Sequence, residues 1–180
     1  MAEPAPESVA VVVVTFNRAG LLSGMLDGLA AQTRRPDLVL VVDNASTDDT
    51  RAVLEARADL PLEALHLDEN TGGAGGFHAG LKTAHERGFD RFWLMDDDVV
   101  PAPDCLEVLM SHDHAALAAV REDRQGRLVE KAATRFDLRD PRAIKPKTAT
   151  VETDYGSRSA MPELVEICLL YTSPSPRDRS

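Results

Sequence analysis

Three consecutive aspartates, Asp96, Asp97 and Asp98, directly follow the apolar segment 92–95, which has the composition of a strand. Like charges this close together repel one another and raise each other's pKa unless something offsets them. The usual offset is a divalent cation such as Mg²⁺ or Mn²⁺, which takes oxygen ligands from one or two carboxylates and from substrate phosphates. Alternation along an extended chain places Asp96 and Asp98 on one side and Asp97 on the other. The triplet therefore predicts a divalent-metal site, with a solvated acidic turn as the alternative.

A glycine-rich segment at residues 70–76 precedes a predicted helix at residues 77–87. Such a loop can bring backbone N–H groups close to a ligand, and the helix N-terminus after it can hold an anion. The segment is not a Walker loop, because no Lys-Ser or Lys-Thr pair follows it. His78 stands where the third glycine of a dinucleotide-binding fingerprint belongs. We predict a loop that approaches an anionic ligand, with a simple tight connection as the alternative.

Two further polar side chains follow predicted strands. Asp43 ends the second strand and could accept hydrogen bonds from a base or a ribose, or could belong to an ordinary turn before a helix. Arg18 follows the first strand and could bind a phosphate in bidentate geometry, or could be a solvated helix residue.

The elements that must position these residues alternate between strand and helix along the first 110 residues. Apolar runs predict strands at 9–14, 38–42, 62–67 and 92–95. Helical spacing or turn signals predict helices at 21–29, 48–58, 77–87 and 103–110, with Asp48 and Asp49 in the first turn of the second. Asn17 is the predicted cap of the first helix, and Ser46 or Thr47 that of the second. The alternation predicts an α/β fold with a mainly parallel sheet. Ligands bind such sheets at the carboxyl ends of the strands, so the polar residues should gather at one edge.

Beyond residue 110 the pattern is weaker. We predict a strand at 115–120, a hairpin turn at Gln125-Gly126, and a polar loop with three prolines over 139–163. The first eight residues are expected to be disordered. The segment 168–180 resembles the translation of a sequencing-library adapter, so we expect native sequence to stop near Ile167; a natural Ser/Pro-rich tail is the alternative.

Composition excludes several classes of protein. The chain has 180 residues, a formal net charge of −10 and two cysteines. This acidic balance argues against nucleic-acid binding and against a polybasic membrane anchor. Two cysteines are too few for a disulfide scaffold. No apolar run approaches the roughly 20 residues of a membrane span, so we expect a cytoplasmic protein, at most peripheral to the inner face of the cell membrane.

Four motifs in order resemble family-2 glycosyltransferases. They are Val11 to Arg18 with Gln32-Thr33, Val42 to Asp48, Asn70 to Phe77, and Trp93 to Asp98. The last two resemble the bacterial rhamnosyltransferase and galactofuranosyltransferase branch. The resemblance covers residues 9–138 and implies a GT-A, Rossmann-like fold that binds a nucleotide-sugar. It leaves 139–167 as a polar loop or part of an acceptor-binding region.

The resemblance also implies roles for individual residues. Thr15 and Asp43 would contact the nucleobase, Asp96 would lie near the ribose or the metal, and Asp98 would ligate the metal. The implied cofactor is Mn²⁺ or Mg²⁺. The remaining residues expected to line the nucleotide-sugar site are Asn17, Arg18, Asn44, Asn70, Gly72, Gly73, Gly76 and Asp97.

The implied activity is inverting transfer of a hexosyl or pentosyl unit, most readily galactofuranose or rhamnose, from a UDP- or dTDP-linked donor to a glycan or lipid-linked glycan. Transfer needs a general base for the acceptor hydroxyl, and that base, usually in a later acidic motif, is not recognisable over 99–167. We therefore expect a C-terminally truncated chain that binds donor weakly and does not turn over. The alternatives are a non-catalytic nucleotide-sugar-binding module and a nicotinamide-dependent oxidoreductase.

Overall fold

A computed structural model of the protein describes residues 7–129, 133–136 and 147–161. The chain divides into two compact units, Met1–His114 and Ala115–Ser180. The elements of the first unit are β1 (Val9–Thr15), α1 (Ala19–Ala30), β2 (Leu38–Asp43), α2 (Thr50–Glu55), β3 (Leu62–His66), α3 (Gly72–Glu86), β4 (Arg91–Asp96) and α4 (Cys105–Met110).

The four strands of the first unit form one parallel sheet in the order β3-β2-β1-β4. In this register Thr15 lies opposite Asp43, and Val14 lies opposite Asp96. The carboxyl ends of β1, β2 and β4 therefore share one edge, as the sequence predicts. The predicted α/β class with a parallel central sheet is confirmed.

Helices cover the sheet on both faces. Residues of β1 alternate between the two sides, so Val11 and Val13 pack with the α1 residues Leu22 and Leu26. Ala10 and the other β1 residues of its parity pack on the opposite face, towards α3. Both faces of the two central strands are therefore buried, which explains why β1 and β2 consist of continuous apolar runs.

The predicted glycine loop is wrong, because helix α3 begins at Gly72 and not at Phe77. The glycines of residues 72–76 form the first turns of the helix. A Cβ at Gly76 would lie 2.5 Å from Val14 Cγ1, and one at Gly80 would lie 2.5 Å from Val12 Cγ1. These glycines are four residues apart and share one helix face, so they let α3 pack directly against β1.

Both predicted helix caps are also wrong. Arg18 is the N-cap of α1, without a side-chain cap, and Asp49 is the N-cap of α2. Asn17 has a positive φ of 53° and instead accepts a hydrogen bond from the Thr47 N–H. Tertiary hydrogen bonds between the β1–α1 and β2–α2 connections thus replace local capping. Helix α2 also ends at Glu55, short of the predicted residue 58.

The second unit contains β5 (Ala133–Phe136) paired antiparallel with β6 (Lys147–Thr150), followed by α5 (Val151–Tyr155) and a 3₁₀ turn at Arg158–Ala160. The predicted turn at Gln125-Gly126 is confirmed, since Glu122 pairs with Leu128 and Gly126 has φ +73°. The predicted strand at 115–120 is wrong, because these residues have no regular structure.

The polar loop predicted over 139–163 contains β6, α5 and the 3₁₀ turn in its described part. Thr150 and Thr153 form a reciprocal capping box at the start of α5, which explains a helix in a polar stretch. Residues 139–146 and the predicted adapter segment 168–180 lie outside the described residues. Within the described part of the chain, none of the helices has the length and apolar content needed to span a bilayer.

The close packing of α3 predicts that Gly80→Ala lowers the free energy of unfolding. Its Cβ would lie 2.5 Å from Val12 Cγ1 and 3.0 Å from Val42 Cγ2, and overpacking of this kind costs about 1–3 kcal/mol. The matched control is Gly24→Ala in α1, where a Cβ meets nothing within 4 Å; it should stabilise the helix by up to about 1 kcal/mol. Urea unfolding followed by circular dichroism measures both. Equal stability of the two variants would contradict the packing argument.

Candidate functional site

Asp97 is the buried member of the aspartate triplet. Its Oδ2 accepts a 2.8 Å hydrogen bond from Thr15 Oγ1, and its Oδ1 accepts a 3.0 Å bond from Arg18 Nη1. Only 3% of Asp97 and 1% of Thr15 is exposed. The hydrogen bond and the charge of Asp97 raise the pKa of Arg18. The carboxylate thus ties the end of β1 and the start of α1 to the end of β4.

Asp96 and Asp98 are exposed, so the predicted division of the triplet between two sides agrees with their burial. Asp98 Oδ2 accepts a 3.1 Å hydrogen bond from Arg18 Nη1. Among the described residues, no group of three or more His, Cys, Asp or Glu could hold a metal ion alone. Two exposed carboxylates do fit a hard cation that takes its other ligands from phosphates and water.

Asp43 ends β2 and is 3% exposed. Its Oδ1 accepts a 2.9 Å hydrogen bond from the Ser46 N–H, and its Oδ2 lies 2.9 Å from His66 Nδ1. Burial opposes the charge of Asp43 and is the largest single effect on its pKa, but the hydrogen bonds from Ser46 and His66 together outweigh it and hold the pKa below its ordinary value. Asp43 is therefore an ionised acceptor at neutral pH.

The sequence analysis did not single out His66. The signal that could have found it is positional, because His66 is the last residue of β3 and lies opposite Asp43 in the register of the sheet. Predicting that register from the sequence requires the order of the strands as well as their bounds.

Asn44 is 2% exposed, and its hydrogen-bonding capacity is used within the protein. Its Nδ2 donates to Asn70 Oδ1 at 2.8 Å and to the Gly72 carbonyl at 3.1 Å, while its Oδ1 accepts from the Thr71 N–H at 2.9 Å. Asn44 therefore fixes the connection that leads into α3. Asn70 takes part in the same network and also accepts from the Gly72 N–H.

The remaining predicted site residues lie at the same edge and differ in what they contact. Asn17 is exposed, and its N–H donates a 3.0 Å hydrogen bond to Ser46 Oγ. Gly73 has open space where a side chain would be, whereas Gly76 is buried against Val14. Gly76 is thus a packing residue, and the first turn of α3 is the part of the glycine segment that faces the edge.

Comparison with known proteins decides the family. A model of "Glycosyl transferase family 2" matches residues 10–157. The chain belongs to glycosyltransferase family 2. The galactofuranosyltransferase GlfT1 of Mycolicibacterium smegmatis is 35% identical over 154 residues, which cover 85% of this chain and 51% of that protein. GlfT1 of Mycobacterium tuberculosis is 47% identical over 94 residues, covering 51% of this chain and 31% of that protein. The chain thus spans about half or less of the length of these curated relatives.

Solved structures agree with this family. The crystal structure of Staphylococcus aureus TarS 1–349 in complex with UDP matches with a TM-score of 0.52 and 28% sequence identity, covering 58% of this chain and 31% of that one. The TarS complex with UDP-GlcNAc matches equally well, covering 58% of this chain and 30% of that one. The family-2 glycosyltransferase with a GT-A fold that the motifs predict is therefore confirmed.

The role of Asn44 predicts that Asn44→Ala loosens the start of α3. Loss of its side chain leaves the Thr71 N–H and the Gly72 carbonyl without these partners, and a typical hydrogen bond contributes about 0.5–1.5 kcal/mol. Hydrogen exchange of the Thr71 amide should accelerate. The Gly88 amide, which donates to the His85 carbonyl at the far end of α3, is the internal control and should exchange as before. Unchanged exchange at Thr71 would contradict this role.

The lowered pKa of Asp43 predicts the pH dependence of stability. A carboxyl with a lower pKa in the folded state stabilises the fold above its unfolded pKa of about 3.9 and loses that contribution as the pH falls through the folded value. The stability advantage of wild type over Asp43→Asn should therefore be larger at pH 7 than at pH 3. Urea unfolding of both proteins at the two pH values measures this difference in stability. The control is Asp113→Asn, which changes a fully exposed aspartate. An advantage that grows towards pH 3 would contradict the assigned direction.

Proposed function

We propose that the protein transfers a sugar from a nucleotide-sugar to a glycan or lipid-linked glycan acceptor, and that this chain forms the donor-binding part. One observation carries the proposal. In a family-2 fold, the buried acceptor Asp43 and the exposed carboxylates Asp96 and Asp98 share one sheet edge, on strands separated only by β1. Strands two positions apart lie about 10 Å from each other, which suits a base held at one end and a diphosphate at the other.

The proposed roles follow from burial and from the hydrogen bonds already made. Asp43 accepts an N–H from the base, because it is ionised and held by two residues. Thr15 was expected to contact the base, but its hydroxyl donates to the buried Asp97, so we assign it to positioning that carboxylate. Asn44 and Asn70 act by shaping the start of α3. Arg18 has a side chain that is 38% exposed and pairs with Asp98, so we assign it to the diphosphate.

Asp96 and Asp98 would hold Mn²⁺ or Mg²⁺ together with the diphosphate. When bound, the cation neutralises the charge that develops on the leaving nucleoside diphosphate. The acceptor hydroxyl attacks the anomeric carbon as the bond from that carbon to the diphosphate oxygen breaks, and its proton passes to a general base. We assign no residue of this chain as that base.

We propose galactofuranose as the donor sugar because of the similarity to the galactofuranosyltransferase GlfT1. We propose uridine as its nucleoside because of the similarity to TarS, which was solved in complex with UDP. Rhamnose on dTDP is the alternative, since the choice of sugar depends on pocket shape. The acceptor and a cytoplasmic location at the inner face of the membrane stay predictions.

A non-catalytic nucleotide-sugar-binding module is the second candidate for the chain by itself. It is favoured because carboxylates suited to a base and to a cation share one sheet edge, while no general base is assigned among the described residues. We accordingly expect this chain to bind donor without turnover. The family match argues against the nicotinamide-dependent oxidoreductase.

The test is calorimetric titration of the 180-residue chain with UDP and dTDP, in Mn²⁺ and then in EDTA. Wild type should bind in Mn²⁺, and Asp98→Ala should weaken that binding by about tenfold or more, because Mg²⁺-type cations rely on only one or two protein carboxylates. Asp113→Ala, an exposed aspartate away from the triplet, is the matched control. Tight binding that is indifferent to chelation and to Asp98→Ala would refute the metal-assisted function.

A further inference from the structure

His66 contacts Asp43, but the proposed function gives His66 no role of its own. His66 closes the edge strand β3 directly beside Asp43, with Nδ1 2.9 Å from Asp43 Oδ2. The side chain of His66 is 37% exposed and that of Asp43 is 5% exposed. A partly exposed ring therefore donates to a nearly buried carboxylate.

The hydrogen must be on Nδ1, because an ionised carboxylate can only accept. Both the neutral Nδ1–H tautomer and the protonated ring satisfy this requirement. The contact is consequently kept whether His66 is neutral or charged. In either form His66 donates to Asp43.

Two residues, Ser46 and His66, fix the plane of the Asp43 carboxylate, and Ser46 does so through both its N–H and its side chain. The Ser46 N–H bonds Oδ1, and His66 bonds Oδ2. A carboxylate can accept about four hydrogen bonds in all, so beside these contacts Asp43 can still accept one from a ligand. Without His66, the carboxylate is held by Ser46 alone and can rotate.

We propose that His66 is a positioning residue for base recognition: it orients the ionised Asp43 so that the carboxylate accepts the ring N–H of a uracil-type base. A base that presents an acceptor at that ring position, such as cytosine, would face the carboxylate with a lone pair and be rejected. This inference rests on the proposed function, because it requires Asp43 to face the base. It adds His66 as the residue that makes the contact between Asp43 and the base selective for uracil.

Substitution of His66 should leave the fold intact. The ring borders a cleft of about 300 Å³ between α2 and β3, together with Arg51 and Leu54, and is not part of either core cluster. Asn is the conservative replacement, because its Nδ2 can donate from nearly the position of the imidazole Nδ1. Ala removes the donor.

The experiment titrates the full 180-residue chain and its variants with UDP and with CDP in Mn²⁺. His66→Ala should weaken UDP binding by about tenfold, the effect of losing a hydrogen bond to a charged group, while CDP binding changes little. The preference for UDP over CDP should therefore collapse. His66→Asn should restore most of that preference. The control is His85→Ala, which changes an exposed histidine near the opposite end of α3 and should bind both ligands as wild type does.

A readout without ligand checks the contact itself. The ¹⁵N chemical shifts of the His66 ring in the wild-type chain should show hydrogen on Nδ1, and this preference should weaken in Asp43→Ala. A ring that carries its hydrogen only on Nε2 would overturn the inference.

The remaining outcomes separate the inference from the function on which it rests. If wild type binds UDP and His66→Ala keeps the full preference for UDP over CDP, the inference is wrong and the proposed function stands. If His66→Ala and His66→Asn lose UDP and CDP equally, His66 does not act by orienting Asp43, and the inference is again wrong. If wild type binds no nucleoside diphosphate, the proposed function fails and the inference fails with it.

Discussion

A carboxylate buried at the end of a parallel sheet must be given hydrogen-bond donors, and the site depends on how this chain supplies them. An isolated ionised group in a protein interior is strongly unfavourable. Asp97 receives Thr15 from β1 and Arg18 from the start of α1, and Asp43 receives Ser46 from its own loop and His66 from β3. Each buried charge thus connects the ends of neighbouring strands.

These connections separate the carboxylates of the edge into two kinds. Asp43 and Asp97 are buried and held at both oxygens, so they keep fixed positions. Asp96 and Asp98 are exposed, and Asp98 pairs with Arg18. Exposed carboxylates can take up a cation at low cost, because their hydration is only partly lost. In the proposed function, the buried pair provides rigid geometry and the exposed pair provides the ligands for the cation.

The same edge depends on how closely α3 approaches the sheet. Gly76 and Gly80 allow β1 to contact the helix backbone, and Asn44 fixes the point at which the helix begins. A side chain at either glycine would push α3 away from Val12 and Val14. The first turn of α3 is therefore placed by packing from one side and by hydrogen bonds from the other.

Much of this arrangement could be predicted from local sequence. The apolar runs at β1 and β2 indicate strands buried on both faces, and their alternation with helices indicates a parallel sheet. Because parallel strands bring their carboxyl ends together, Asp43 and the Asp96–Asp98 triplet could be placed at one edge without coordinates. The alternation of an extended chain also distinguished Asp97 from its neighbours. These inferences need only the period of the side chains and the direction of the strands.

Other features depended on contacts between residues far apart in the sequence. The glycine segment looked like a loop because glycine disfavours helices, yet packing against β1 makes it the start of α3. Asn17 looked like a cap, but the Thr47 N–H from the next connection takes its side-chain oxygen. His66 carried no local signal, because its role comes from lying beside Asp43 in the strand register. Local sequence determines which elements form and where they end, while the donor that each buried group receives is decided only when the strands are in register.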